Sequence, residues 1–233
     1  MLCSAQSGDR AFASTSYSDG KITQMDKKVL LENISKNIRI CEKCALCKTA
    51  KNAVPGEGNP DSKIVFIGEA PGEYEDNTGR PFVGRAGKLL ETLLNEIGYK
   101  REDVWIGNII KHRPPQNRDP LPDEIEQCQP YLVEQLKIIK PVLIVTLGRF
   151  AMSHFYADGK ISRDRGNLMR VKNSEYCIYP VYHPAAALRS TDMYNDLRND
   201  FLRIPDILDE AEKIESGTSV SQIDDNGQMD LGI

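Results

Sequence analysis

Four short apolar runs with no polar alternation constrain this chain more than any other feature. They are Lys63 to Ile67 (KIVFI), Val104 to Ile110 (VWIGNII), Pro141 to Leu147 (PVLIVTL) and Tyr176 to Tyr182 (YCIYPVY). A strand that is apolar at every position is covered on both faces, as parallel sheets are. The intervening segments have helical spacing. Arg85 to Ile97 gathers Leu89, Leu90, Leu93, Leu94 and Ile97 on one face. Asp123 to Ile139 follows Pro122 and carries acids in its first turn. A short helix is expected over Gly148 to Phe155, a last one over Thr191 to Ala211, and an opening one over Met25 to Ile40. Alternating strands and helices predict an α/β fold, a three-layer αβα sandwich around a central four-stranded parallel sheet.

The ends differ from this pattern. Residues 1–24 are rich in Ser, Gly and Asp and read as a flexible extension, leaving 25–215 as one domain. Residues 216–233 are polar and acidic without apolar period and read as a disordered tail. No run approaches the roughly 18 apolar residues of a membrane span, and the N-terminus lacks a secretory h-region. A cytoplasmic protein is expected, in which six cysteines serve as ligands or buried thiols, not disulfides. The net charge of −4 misleads about partners. From Pro205 onward there are eight acids and one base, leaving 29 lysines and arginines against 26 acids elsewhere. A weakly basic body can bind nucleic acid through a local patch.

In open parallel sheets ligands sit beyond the carboxyl ends of the strands. Glu69 follows the first run, Asn108 ends the core of the second, Gly148 follows the third and His183 the fourth. A Glu, an Asn and a His thus converge on one sheet edge. An amide can satisfy a neighbouring donor and acceptor together, and an imidazole can stabilise charge developing on oxygen. A carboxylate at the end of a buried strand is costly without a role. The glycines of Gly68 to Gly87 fit neither a P-loop nor a dinucleotide fingerprint. Phe82, between Pro81 and Val83, is core filler or a stacking platform for a base. Cys41, Cys44 and Cys47 form a CxxCxxC signal for zinc or an iron–sulfur cluster.

GEAPGEYEDNTGRPFVGRAGKLL from Gly68, VWIGNIIKHRPPQNRDPLPDE from Val104 and YHPAAALR from Tyr182 resemble the three signature regions of family 4 uracil-DNA glycosylases, iron–sulfur enzymes of base-excision repair. The likeness runs from Cys41 to Leu188 and includes VPGEGNP at Val54 and PVLIVTLGRFA at Pro141. Family 5 lacks the acidic residue in the first motif, so Glu69 favours family 4. The resemblance implies that Gly68, Glu69 and Ala70 line a uracil pocket, Phe82 stacks on the flipped base, and Asn108 reads the O4 and N3–H edge. It implies that His183 stabilises the departing uracil anion and that Leu188 or Arg189 fills the gap left by the extruded base. Family 1 enzymes carry a water-activating Asp where this chain has Ala70. Glu69 is therefore expected to orient water or stabilise the sugar cation. Glu75 is a candidate to crowd the uracil C5 position and exclude thymine.

The resemblance also implies a [4Fe–4S] cluster of structural role, with Cys41, Cys44 and Cys128 as ligands. The family's remaining ligand is a Cys in NIxKCRPP, where this chain has His112. Either His112 is itself a ligand or Cys47 takes its place. Cys3 and Cys177 read as non-ligands. The implied partner is uracil-containing DNA, with recruitment by a sliding clamp left open, and the protein is expected to be a monomer. Arg80, Arg85, Lys88, Lys100, Arg101, Lys111, Arg113 and Arg118, with Arg163, Arg165, Arg170 and Lys172, are candidate phosphate contacts. A rival function is covalent capture of uracil-DNA without turnover, seen in relatives with His at the same place. Those relatives carry a basic insertion with a second histidine, and this chain has no insertion and three histidines in all.

Overall fold

A computed structural model describes residues 23–171 and 176–216; Cys3, Lys172 and nearly all of both expected flexible ends lie outside them. The described chain opens with α1, Gln24–Arg39, started by a reciprocal cap in which Thr23 Oγ1 accepts from the Asp26 amide and the Thr23 amide donates to Asp26 Oδ2. A 3-10 turn, Ala45–Lys48, carries the cysteine segment into β1, Glu57–Gly58, and β2, Ile64–Gly68. Then come α2, Glu73–Thr78; α3, Arg85–Glu96; β3, Trp105–Asn108; α4, Pro122–Ile139; and β4, Leu143–Leu147. The rest is α5, Arg149–Phe155; α6, Ile161–Asp164; β5, Met169–Arg170; β6, Cys177–Val181; α7, Pro184–Ala187; α8, Thr191–Leu202; and α9, Ile204–Glu215.

The four expected strands form the parallel centre, in the order β3-β2-β4-β6, and all four are buried throughout. Two-residue antiparallel strands flank them, β1 against β3 and β5 against β6. These edges were too short to show a period in the sequence. Successive strand residues point to opposite faces, so Phe66 enters one core and Ile67 the other. On the first face lie the leucines of α3 with Leu197, Phe201 and Ile207 of α8 and α9. On the second lie Leu132 and Leu136 of α4 with Phe155 of α5, and α1 packs outside α4. This is the expected three-layer arrangement.

Two local expectations are corrected. The single final helix is two, because Pro205 cannot donate inside a helix and instead sits in the first turn of α9, with the break at Arg203. The glycine-rich stretch, where no helix was expected before Arg85, contains α2, which ends at Gly79 in the left-handed conformation.

Candidate active site

The carboxyl ends of β2, β3, β4 and β6 meet on one edge, and the strand register brings Gly68 beside Asn108. A methyl group on Gly68 would lie 2.5 Å from Asn108 Oδ1 and 2.6 Å from the Phe82 ring, so only glycine lets the two approach the strand end. The Phe82 ring is 5.8 Å from that of His183. Gly148, at the end of β4 with φ 89°, makes the same room for His183, whose Cβ a side chain there would meet at 2.9 Å. Gly68, Phe82, Asn108 and His183 therefore form one constellation.

Asn108 is 1% exposed, and its Oδ1 has no partner. A buried amide oxygen without a hydrogen bond is costly unless a ligand supplies the donor. The Asn108 backbone is held by Lys111, whose ammonium donates to the Asn108 carbonyl at 2.8 Å and to Gln135 Oε1 at 2.9 Å. Gln135 donates in turn to the Pro55 carbonyl. Among the described residues Thr146 Oγ1 is the other unpartnered buried side-chain oxygen, and nothing in the structure explains it.

His183 caps α7, and its Nδ1 accepts from the Ala185 amide at 3.0 Å. That bond assigns the ring proton to Nε2, making it a donor. Burial pushes the His183 pKa down to about 4, so the ring is neutral near pH 7. Burial pushes the Glu69 pKa up to about 7, helped by the charge of Asp119 and opposed by Arg149, which are paired at 2.6 Å. The charges Glu69 feels are thus Asp119 and Arg149, whereas the one His183 feels is Glu75. Ala70 packs against the second core.

Glu75 has a different visible task from the one expected. Its Oε1 accepts from the amides of Val83 and Gly84 at 2.8 and 2.9 Å, and Oε2 from that of Gly72 at 3.2 Å. One carboxylate thus closes the turn carrying Phe82 and satisfies free amides at the start of α3. Sequence reasoning missed this, and it missed Arg149. Extending the strand-end rule one residue past Gly148 finds Arg149; no local signal marks Glu75.

The charge list is corrected at Lys111 and Arg101, which the fold turns inward. Lys111 is buried, because its ammonium is spent on the two oxygens named above. Arg101 and Arg80 share Glu57, Arg118 pairs with buried Glu124, Arg163 with Asp164, and Arg165 with Asp196 and Asp200. Arg85 and Lys88, exposed on the first turn of α3, stay available, as does Arg189 beside the half-exposed Leu188. α3, which carries Arg85 and Lys88, packs on α7, which leads into Leu188 and Arg189.

A second region lies at the carboxyl end of α2. Cys41, Cys47 and His112 line a cavity of about 950 Å³ with Arg39, Lys48 and Arg80. Cys44 lies within electrostatic reach of Cys41 and Cys47, and Cys128 of Cys41 and Cys44. Burial pushes the Cys44 thiol up and Cys128 to about 11. Thiols with an imidazole suit zinc or an iron–sulfur cluster, and these neighbours fit such a group. Among the described residues no three potential ligands are already gathered tightly enough to hold a metal ion. Cys177 lies in β6, away from this group.

A model of the uracil DNA glycosylase superfamily matches residues 55–204. The chain is 47% identical over 188 residues to a type-4 uracil-DNA glycosylase of Saccharolobus solfataricus, covering 76% of this chain and 86% of the relative. This chain belongs to the uracil-DNA glycosylase superfamily. A type-4 uracil-DNA glycosylase of Thermotoga maritima is 46% identical over 82% of this chain and 95% of its own length. A type-5 uracil-DNA glycosylase of Thermus thermophilus is 34% identical over only 45% of this chain and 54% of its own. Type 4 is thus the better match within the superfamily, in line with Glu69. No helix among the described residues is long and apolar enough to cross a membrane.

Proposed function

We propose that the chain is a uracil-DNA glycosylase, which extrudes uracil from DNA and hydrolyses its N-glycosidic bond to leave an abasic site. The observation that carries this is the buried, unpartnered Asn108 Oδ1 beside Gly68 and Phe82. Uracil N3–H supplies the missing donor, and the Asn108 amide NH₂ donates to uracil O4. Cytosine presents an acceptor at N3 and a donor at C4, so the same amide rejects it. Phe82 stacks on the base, while Gly68, Glu69 and Ala70 form the pocket wall.

In the reaction the C1′–N1 bond breaks and its electron pair leaves with uracil. His183, neutral with its proton on Nε2, donates to uracil O2 and stabilises that anion without transferring the proton. Glu69, when ionised, orients the water that bonds to C1′ and takes its proton, or stabilises the cationic sugar. Leu188 and Arg189 fill the vacated stack, and Arg85 and Lys88 contact phosphates.

The residues fit a [4Fe–4S] cluster held by Cys41, Cys44 and Cys128 with His112; because His112 and Cys47 face one cavity, Cys47 is the alternative ligand. When bound, the cluster supplies a cross-link between the segment after α1 and α4, since hydrolysis requires no electron. The ligating thiols would lose their protons on binding. A cytoplasmic location fits a chain that keeps its thiols reduced.

The direct test incubates the protein with uracil-containing oligonucleotides, then treats them with alkali. Strand cleavage with release of free uracil is expected, with no cleavage of thymine or cytosine controls. A stable protein–DNA adduct without free uracil would replace this function with covalent capture.

A further inference from the structure

We propose that Arg101 is the positioning residue for Phe82, holding that aromatic ring in a backbone conformation it would not keep unaided; the catalytic value of this rests on the stacking role given to Phe82 above. Phe82 has φ 50°, in the left-handed region that L side chains rarely adopt. In an extended chain successive carbonyls point apart. Here two of them turn toward one guanidinium: Arg101 Nη1 donates to the Phe82 carbonyl at 2.9 Å and Nη2 to the Pro81 carbonyl.

The guanidinium is itself fixed. Arg101 Nε donates to Glu57 Oε1 at 2.9 Å, and Glu57 takes two more bonds of 2.9 Å from Arg80. Glu57 belongs to β1, which pairs with β3, so the fork is tied to the edge of the sheet. The Arg101 side chain is only 17% exposed and is not free to bind phosphate. Helix α3 presses from the other side: a Cβ on Gly87 would lie 1.8 Å from the Phe82 carbonyl oxygen. Arg101, Glu57 and Gly87 lie outside the base pocket and touch no reacting atom. They decide where the Phe82 ring lies over Gly68 and His183. A lysine could keep the charge of Arg101 but not its planar fork onto two carbonyls.

Two measurements test this on the full chain. Chymotrypsin cuts after aromatic residues once a segment opens locally, so cleavage between Phe82 and Val83 reports release of this turn. R101Q is expected to raise that cleavage about tenfold relative to cleavage at other sites, and R101K to fall between it and the parent. Single-turnover excision of uracil is then measured for R101Q, F82A and the double variant. R101Q is expected to lose about tenfold, and the double variant to be no slower than F82A, because the residue being positioned is gone. An equal loss from R101Q in the F82A background, or unchanged cleavage after Phe82, would overturn the proposal. Loosening of the turn in R101Q alongside full excision by F82A would support the hold of Arg101 and overturn the stacking role instead. If R101Q does not fold, E57Q carries the same two measurements, with smaller changes in the same direction.

Discussion

The pocket edge and the cysteine corner are built on opposite principles. At the pocket protein neighbours hold the framework: Lys111 binds the Asn108 backbone carbonyl, the Ala185 amide the His183 ring, and Glu75 and Arg101 the Phe82 turn. Asn108 Oδ1 has no protein partner and is left for a ligand. At the corner the functional groups face a cavity, and burial keeps the Cys44 and Cys128 thiols protonated. The pocket is preorganised by the protein alone, while the corner calls for a bound group to draw its donors together. Asp76 joins the two: its Oδ1 accepts from the Lys51 and Asn52 amides of the cysteine segment, and it sits in α2 of the pocket stretch.

The comparison breaks most visibly if the pocket is not preorganised. His183→Ala removes a donor already aimed by its cap, and single-turnover excision should fall by about 100- to 1,000-fold with little change in thermal midpoint. A small kinetic loss with a large stability loss would make His183 a structural cap only. At the corner the opposite balance is expected. Cys128→Ser should lower the iron content per chain and the thermal midpoint by roughly 4–8 °C, the equivalent of about 2 kcal/mol for a chain of this size. An unchanged iron content would remove Cys128 from the ligand set. Comparing His112→Ala with Cys47→Ser by iron content then decides which of them completes that set.

The pH dependence sharpens the pocket side. Glu69 has its pKa raised to about 7, so its ionised fraction, and the excision rate, should rise roughly tenfold per pH unit below 7 and then level off. Glu69→Gln should abolish that acid limb; if the limb survives, another group controls it. The sign for stability is the reverse. A carboxyl whose folded pKa exceeds its unfolded value of 4.5 favours folding most below that value, and the contribution is lost as pH rises through about 7. His183, lowered to about 4, should show no inflection near pH 6.5. Asp76→Asn tests the bridge between the regions and should cost about 1–3 kcal/mol by urea denaturation. The smallest effect belongs to the surface: Arg85→Ala should reduce the salt slope of DNA binding by about one.

The alternation of strands and helices, the burial of both sheet faces and the placing on one sheet edge of the strand ends that precede Glu69 and His183 and include Asn108 were legible in the amino-acid sequence. Apolar strands alternating with amphipathic helices leave few topologies, and parallel strands put their carboxyl ends on one edge by construction. The spacing of Cys41, Cys44 and Cys47 was visible for a different reason, since candidate ligands close in sequence need no fold to be noticed. The two edge strands were not, because two-residue strands have no period and form only when a neighbouring strand offers its free edge.

Tertiary structure alone decided the fate of the charges. Lys111 lies in the same local run as Arg113, yet one is buried against Asn108 and Gln135 and the other reaches Asn117 at the surface. The partner that makes this difference, Gln135, lies 24 residues away on α4, and charge carries no period that reveals it. For the same reason Arg101 read as a phosphate contact, when the fold turns it inward onto the carbonyls of Pro81 and Phe82. Sequence pattern determines which faces are apolar and where strands end. Which polar group meets which depends on contacts between distant segments, and these exist only once the three layers have packed.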